Sequence, residues 1–198
     1  MFHVKHEQLS EVLEWVGVVP PDGLLGRLER FERWLVTEGA DAGGIGPADV
    51  AQVWERHVLD SLMFAVEAGN PHSILDLGSG IGLPGIPLAL LFPEATVLLV
   101  DRSGRRVRLA RRAARVCGAA NVGVTQASFD ELAPQAAELV VMRASLPPSE
   151  APAVLERHRA PGGRSVVGVG LQRPNDLECV RFPGSRILDP GRWLHIMR

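Results

Sequence analysis

The sequence predicts an α/β fold in which a group of helices precedes a mostly parallel sheet. From residue 73 onward, short apolar segments alternate with helical ones, a pattern typical of βαβ units with right-handed crossovers. Before that point, apolar residues recur at helical spacing. We therefore predict an N-terminal helical cap, residues 1–70, and a Rossmann-like sheet domain, residues 71–198, that together form one compact unit.

Three helices are predicted in the cap. The first covers residues 7–16 and ends before Pro20 and Pro21, which break a helix. The second covers residues 23–38, and a glycine-containing loop follows it. The third helix starts near residue 48, ends near residue 68, and leads into the first strand.

The sheet domain is predicted as alternating strands and helices, closed by an antiparallel pair. The first five strands lie at residues 74–77, 96–100, 122–125, 139–142 and 165–169. The segments between them are helices at residues 84–91, 104–117 and 150–157 and a short turn at residues 129–132. The closing pair is predicted at residues 179–182 and 193–197, with a turn at residues 189–191.

Composition and charge narrow the class of protein. The 198 residues, 46% of them hydrophobic, suit one domain with a modest extension. The net charge of −2 gives no overall attraction to nucleic acid, and no apolar run is long enough to span a membrane. Cys117 and Cys179 lack metal-ligand spacing. We expect reduced thiols, no secretory signal, no bound metal, no membrane attachment and a cytoplasmic location.

A functional motif follows the first predicted strand, in the stretch SILDLGSGIGLPGIP at residues 73–87. The strand contains Asp76 and is followed by glycines at alternate positions, Gly78, Gly80 and Gly82. Glycines allow unusual backbone angles and let a ligand lie against the chain. Ligands of such folds bind at the carboxyl ends of the strands, so a nucleotide-like ligand is predicted here.

Two classes of nucleotide-like ligand fit this motif. A literal G-x-G-x-x-G begins at Gly80, as in dinucleotide-binding folds, but it starts two residues late relative to the strand end. The order strand, Asp76, Gly78, Gly80 resembles the first motif of S-adenosylmethionine-dependent methyltransferases. Asp101, at the end of the next strand, can accept hydrogen bonds from ribose hydroxyls in either class. The antiparallel closing pair favours the class I methyltransferase architecture, a seven-stranded sheet with an antiparallel last strand. A glycine turn without a ligand is the third interpretation.

Two motifs together resemble one methyltransferase family. WERHVLDSL at residues 54–62 and DLGSGIGLPGIP at residues 76–87 resemble the RsmG (GidB) family, bacterial methyltransferases that act on a guanine N7 of small-subunit (16S) ribosomal RNA. The similarity covers about residues 7–170. It implies S-adenosylmethionine as cofactor and the small-subunit ribosomal RNA, or its particle, as partner. We expect a monomer.

The resemblance also implies which residues contact the cofactor. They are Asp76, Gly78, Gly80, Leu83, Asp101, Phe129, Asp130 and Arg143. Asp76 is expected near the amino acid moiety, Asp101 at the ribose hydroxyls, and Phe129 with Asp130 at the adenine.

Arg143 is also the candidate catalytic residue. It could hydrogen-bond the guanine edge or a phosphate, and the alternative is an internal salt bridge. No general base is expected, because guanine N7 has an available lone pair and the sulfonium is already a good leaving group. His57 either faces the cleft as a substrate contact or is a packed helical residue, and Asp60 is expected to be structural.

A basic run follows Asp101. Seven arginines and no acidic residue occupy residues 102–115, and Arg105 and Arg106 are candidate RNA contacts. On a helix, four of them fall near one face: Arg105, Arg108, Arg112 and Arg115. The run is either a phosphate-binding face or the solvated outer face of a helix that covers the sheet.

Three departures from the family pattern lie on the substrate side or in the C-terminal third. Ser128 stands where the family usually has Arg, Val169 stands where the family usually has Lys, and the connection at residues 171–178 is short. They motivate two alternative functions. One is a diverged paralogue that methylates another RNA or a small molecule, and the other is a non-catalytic RNA- or ribosome-binding module that retains the fold.

Overall fold

The computed structural model describes residues 2–147, 149–170, 179–182 and 193–198. The predicted short connection at residues 171–178 and the predicted turn at residues 189–191 lie outside these ranges. Within the described ranges there are seven strands: β1 (Ser73–Leu77), β2 (Thr96–Asp101), β3 (Val122–Gln126), β4 (Ala137–Arg143), β5 (Arg159–Gly170), β6 (Cys179–Arg181) and β7 (Trp193–Met197). The α-helices are α1 (Phe2–Val16), α2 (Leu24–Trp34), α3 (Asp60–Leu62), α4 (Gly85–Leu91), α5 (Gly104–Cys117) and α6 (Ala151–His158).

All strands belong to one sheet, in the order β3-β2-β1-β4-β5-β7-β6. The strands from β3 to β5 are parallel, whereas β7 is antiparallel to both β5 and β6. This topology confirms the predicted class I architecture, including the antiparallel closing pair. The chain leaves β1 toward β2 on one side and later places β4 on the other side, so the topological switch point lies between β1 and β4.

The segment at residues 47–65 is helical throughout, as the sequence predicted, but the helix type changes along it and it ends before the predicted end near residue 68. It consists of a 3₁₀ turn, a π-helical turn at Trp54–Leu59, the short α3, and a second 3₁₀ turn. Three residues of the π-helical turn are buried: Trp54, Val58 and Leu59. An apolar period cannot distinguish these turn types, because each of them places a buried stripe on one side of the segment.

The two faces of the sheet are covered unequally. On one face, a single core cluster joins residues of the cap, α4 and α5 to the sheet, from Leu9 in α1 to Ile196 in β7. The other face carries a smaller cluster, in which Leu155 of α6 and Leu132 pack against β1, β4 and β5. The connection from β3 to β4 contains a turn near residues 129–131, as predicted, and no helix.

Strand β5 begins at Arg159, earlier than the predicted start at residue 165. The early part runs beside the start of β4, where a Cβ on Gly163 would lie 2.8 Å from the carbonyl oxygen of Glu138. The backbones approach closely because Gly163 has no side chain. In the part of the chain that the structure describes, no helix has the length and apolar character needed to cross a membrane.

Candidate active site

A cleft of about 700 Å³ lies at the carboxyl ends of β1, β2 and β4, beside the switch point. Nine of the residues that the sequence singled out line it: Gly78, Gly80, Leu83, Asp101, Arg105, Arg106, Phe129, Asp130 and Arg143. Two others do not: Asp76 lies beneath the glycine loop, and His57 contacts Arg143 from the cap.

The first two glycines of the loop have different tasks. Both have positive φ angles, +75° at Gly78 and +58° at Gly80. A Cβ on Gly78 would lie 2.0 Å from Oγ of Ser145, which donates a 3.0 Å hydrogen bond to the Gly78 carbonyl. A Cβ on Gly80 would meet no atom within 4 Å. Gly78 therefore lets the loop pack against the residues that follow β4, whereas Gly80 lies at an open part of the cleft.

Asp76 supports the loop from below. Its side chain is fully buried, and Oδ2 accepts a 2.8 Å hydrogen bond from the backbone N–H of Gly85 at the start of α4. Burial raises the pKa of Asp76 to about 7, although the Gly85 N–H favours the ionised form. Oδ1 is also buried and has no hydrogen-bond partner among the residues that the structure describes. The implied contact with the cofactor's amino acid moiety stays a prediction.

Asp101 ends β2 and is held by backbone N–H groups. Oδ2 accepts a 3.0 Å hydrogen bond from Gly80, and Oδ1 accepts a 2.8 Å hydrogen bond from Ser103. Nη1 of Arg106 lies 3.7 Å from Oδ2. Because an ionised carboxylate has about four acceptor positions, Asp101 can accept further hydrogen bonds from a ligand in the cleft.

Phe129 and its neighbours form the opposite edge of the cleft. Cζ of Phe129 lies 3.5 Å from the position that a Cβ of Gly78 would occupy. Ser128 donates from its backbone N–H and its hydroxyl to Oε2 of Glu131, at 3.1 and 2.9 Å, and both bonds lower the pKa of Glu131. Ser128, which stands where the family usually has Arg, thus stabilises the turn that presents Phe129 and Asp130.

Arg143, at the end of β4, contacts two residues of the cap. Nη1 lies 3.4 Å from Oδ2 of Asp60, and Nη2 lies 3.4 Å from Nδ1 of His57. A guanidinium only donates hydrogen bonds, so Nδ1 of His57 must be the acceptor and the ring proton belongs on Nε2. Nε2 lies 3.7 Å from Oδ2 of Asp49, which favours that tautomer. Arg143 therefore forms an internal ion pair and also lines the cleft.

One wall of this cleft was not predicted from the sequence. Ala42, Gly43 and Gly44 line the cleft from the cap, and we call these three residues the cap wall. A Cβ on Gly44 would lie 2.8 Å from the side chain of Ile81 in the glycine loop, so the two loops are in close contact. Nη2 of Arg105 donates to the carbonyl of Ala42, and this RNA-contact candidate therefore anchors the cap wall. The pair of glycines at residues 43–44 is the sequence feature from which this wall could have been predicted.

The fold and the position of the cleft are those of the class I, Rossmann-like methyltransferases. A solved RNA methyltransferase from Salinibacter ruber, in complex with S-adenosyl-L-homocysteine, has a similar fold with a TM-score of 0.53. The two chains are 22% identical, and the match covers 69% of this chain and 87% of that one. The family model of GidB, rRNA small subunit methyltransferase G, matches residues 25–182. The chain belongs to this family, as its motifs predicted.

Curated relatives agree with this membership. The ribosomal RNA small subunit methyltransferase G of Mycolicibacterium paratuberculosis is 39% identical over 121 residues, which are 54% of this chain and 49% of the relative. The protein of the same name from Frankia casuarinae is 29% identical over 193 residues, 87% of this chain and 73% of the relative. The chain spans about half the length of the first relatives that it matches.

Proposed function

We propose that this protein transfers a methyl group from S-adenosylmethionine to N7 of a guanine in small-subunit ribosomal RNA, in the cytoplasm. The main support is the cleft at the switch point, where the open side of Gly80 and the carboxylate of Asp101 lie together. Membership of the GidB family supports the ribosomal RNA acceptor.

The residues of the cleft fit the proposed cofactor. Its volume of about 700 Å³ lies within the range of small-molecule sites, about 300–1,000 Å³. Asp101 offers acceptors for ribose hydroxyls, and Phe129 and Leu109 offer apolar surface for a purine ring. Gly80 leaves space for a ligand to approach the backbone.

The chemistry requires little of the protein beyond orientation. Bound S-adenosylmethionine supplies an electrophilic methyl group on a sulfonium that leaves readily. Guanine N7 attacks in line with its own lone pair, so no residue has to remove a proton first. The chain orients the two reactants and excludes water, and orientation of this kind contributes several kcal/mol. Arg143, which lines the cleft beside the glycine loop, donates to O6 of the guanine and leaves the N7 lone pair free to attack.

Calorimetric titration with S-adenosylmethionine is the first test. We expect micromolar binding, and we expect Gly80→Arg to abolish it, because the new side chain would fill the open space at that position. Gly17→Arg is the matched control, since Gly17 also has a positive φ angle, 72°, and meets no atom within 4 Å. Equal binding by the Gly80→Arg and Gly17→Arg variants would contradict the assignment of the cleft.

The acceptor needs a separate test. Small subunits from cells that lack the modification are incubated with the protein and with S-adenosylmethionine that carries a radioactive methyl group, and the labelled nucleotide is then identified. We expect label on N7 of a guanine in the small-subunit RNA. A protein that binds the cofactor but labels no ribosomal RNA would contradict this acceptor.

A second candidate function is methylation of a different acceptor. The observation in its favour is Ser128, which lines the cleft and hydrogen-bonds Glu131 where the family usually presents a cation. It predicts methyl transfer to another RNA or to a small molecule while ribosomal subunits stay unlabelled.

A further inference from the structure

The arginines of α5 divide into two groups in the structure. Arg105 and Arg112 face the cap, where they contact the carbonyl of Ala42 and the carboxylate of Glu38. Arg108, Arg111 and Arg115 are exposed and lie at positions i, i+3 and i+7, which form one stripe along a helix. We call these three residues the outer stripe.

The outer stripe carries a positive charge that its surroundings do not neutralise. Among the described residues, no carboxylate forms an ion pair with any of its three members. From residue 102 to residue 129 the sequence contains seven arginines and no Asp or Glu, although the whole chain has a net charge of −2. The stretch that contains α5 is therefore strongly basic, although the chain as a whole is slightly acidic.

A second depression lies at the distal end of the stripe. It has a volume of about 460 Å³ and is floored by small apolar residues, chiefly Ala119, Ala120 and Val122. Arg111 and Arg115 line the same depression, and Nη2 of Arg111 donates a 2.8 Å hydrogen bond to the carbonyl of Val124 on the edge strand β3. This bond holds one guanidinium in place beside the apolar floor.

The stripe connects this depression to the active-site cleft. Arg105 and Arg106, at the start of α5, line the cleft, and the depression lies at the helix end. The helix has 14 residues and is about 20 Å long at 1.5 Å per residue, and the lining of the cleft extends to Leu109 while that of the depression begins at Arg111. A polyanion whose target group occupies the cleft can therefore continue along the outer stripe.

We infer that the outer stripe and its distal depression form a second binding site for the RNA substrate, next to the cleft along α5. The guanidinium groups bind backbone phosphates, and the apolar floor beside Arg111 and Arg115 receives an unstacked base of a single-stranded segment. This inference rests on the proposed function, because the RNA that occupies this site is the substrate of the cleft.

Binding of in-vitro transcribed small-subunit ribosomal RNA, measured as a function of salt concentration, tests the site. In the double variant Arg108→Ala/Arg115→Ala, two phosphate contacts are removed. The salt slope should fall by about 1.4, at ~0.7 per contact to a single strand, and affinity should weaken at least about tenfold at low salt. Calorimetry with S-adenosyl-L-homocysteine should show unchanged cofactor binding.

The matched control is Arg33→Ala/Arg157→Ala, which removes the same charge from exposed positions on α2 and α6. Equal losses of RNA affinity in the two double variants would overturn the inference, and the partner of the outer stripe would then be an acidic protein.

Ala120→Leu fills the depression without a change in charge, and we expect weaker RNA binding with an unchanged salt slope. If Ala120→Leu binds as the wild type does, the base-binding part is wrong. If the wild-type protein does not bind this RNA, it is the proposed acceptor that fails.

Discussion

On the sheet side of the cleft, backbone N–H groups donate to buried carboxylates, whereas on the cap side exposed arginines of α5 donate to residues of the cap. On the sheet side, the N–H groups of Gly80, Gly85 and Ser103 donate to Asp101 and Asp76. On the cap side, Arg105 reaches the carbonyl of Ala42 and Arg112 pairs with Glu38. The sheet side is therefore defined by a local stretch of chain and the strand ends. The cap side depends on pairs of residues that are remote in sequence.

The hydrogen bonds on the two sides of the cleft differ in strength because they differ in exposure to water. Asp76 and Asp101 on the sheet side are 0% and 3% exposed, so their hydrogen bonds are protected from water. The side chains of Arg112 and Glu38 on the cap side are 56% and 42% exposed, and pairs of that kind contribute little in water. We expect changes on the sheet side to have large effects and changes on the cap side to have small ones.

The largest expected effect is on stability through Asp76. Its pKa is raised from a usual 3.8 to about 7, so the folded protein binds a proton that the unfolded chain has already released. The free energy of unfolding should therefore fall as pH rises from about 4 to about 7, by on the order of 4 kcal/mol for this group alone. Urea unfolding of the wild type and of Asp76→Asn across this interval measures the difference. Parallel pH profiles of the two proteins would contradict the buried, protonated Asp76.

The next largest effect is expected in the glycine loop, where two alanine variants distinguish a steric clash from backbone strain. Gly78→Ala places a Cβ 2.0 Å from Oγ of Ser145, so binding of S-adenosyl-L-homocysteine should weaken at least about 100-fold. Gly80→Ala has similar backbone strain but open space, and it should weaken binding less than about tenfold. Calorimetry measures both. Partial rescue in Gly78→Ala/Ser145→Gly would confirm the contact, and equal losses in the single variants would exclude it.

A smaller effect is expected where the two sides meet, at Arg143. His57→Asn keeps an acceptor near the position of Nδ1, whereas His57→Gln places its amide nearer the position of Nε2. We expect kcat to fall about tenfold for His57→Gln and to stay near the wild-type value for His57→Asn, because only Asn keeps the guanidinium oriented. The Kd for S-adenosyl-L-homocysteine should not change in either variant. Equal kcat values would show that His57 only packs.

The smallest effect is expected for the exposed pair of the cap. Glu38→Gln and Arg112→Gln, alone and combined, should change the Kd for S-adenosyl-L-homocysteine less than about threefold. Arg108→Gln is the control, since Arg108 is an exposed arginine of the same helix that forms no ion pair with Glu38 in the described part of the chain. A tenfold or larger change in this Kd would contradict the expectation that the cap side contributes little, and would mean that the cap governs cofactor binding.

Elements that depend on short-range patterns were predictable. The limits of α5 and β7 agree with the prediction, and β1, β2 and β3 differ from it by one residue at an end. The change of helix type along residues 47–65 was not predictable, because α, π and 3₁₀ turns produce similar spacings of buried apolar residues. The early start of β5 depends on a contact between distant backbones at Gly163.

By itself, the sequence determined the class I fold and placed the glycine loop and Asp101 at the strand ends that line the cleft, because strand ends and glycine positions are local properties of a parallel sheet. Only the tertiary structure decided that Asp76 lies beneath the loop, that Ala42–Gly44 forms a wall of the cleft, and that Arg143 contacts His57 across 86 residues of chain. It also divided the arginines of α5 between the cap and the solvent. The physical reason is that these features are contacts between side chains brought together by packing, and a linear pattern does not contain that information.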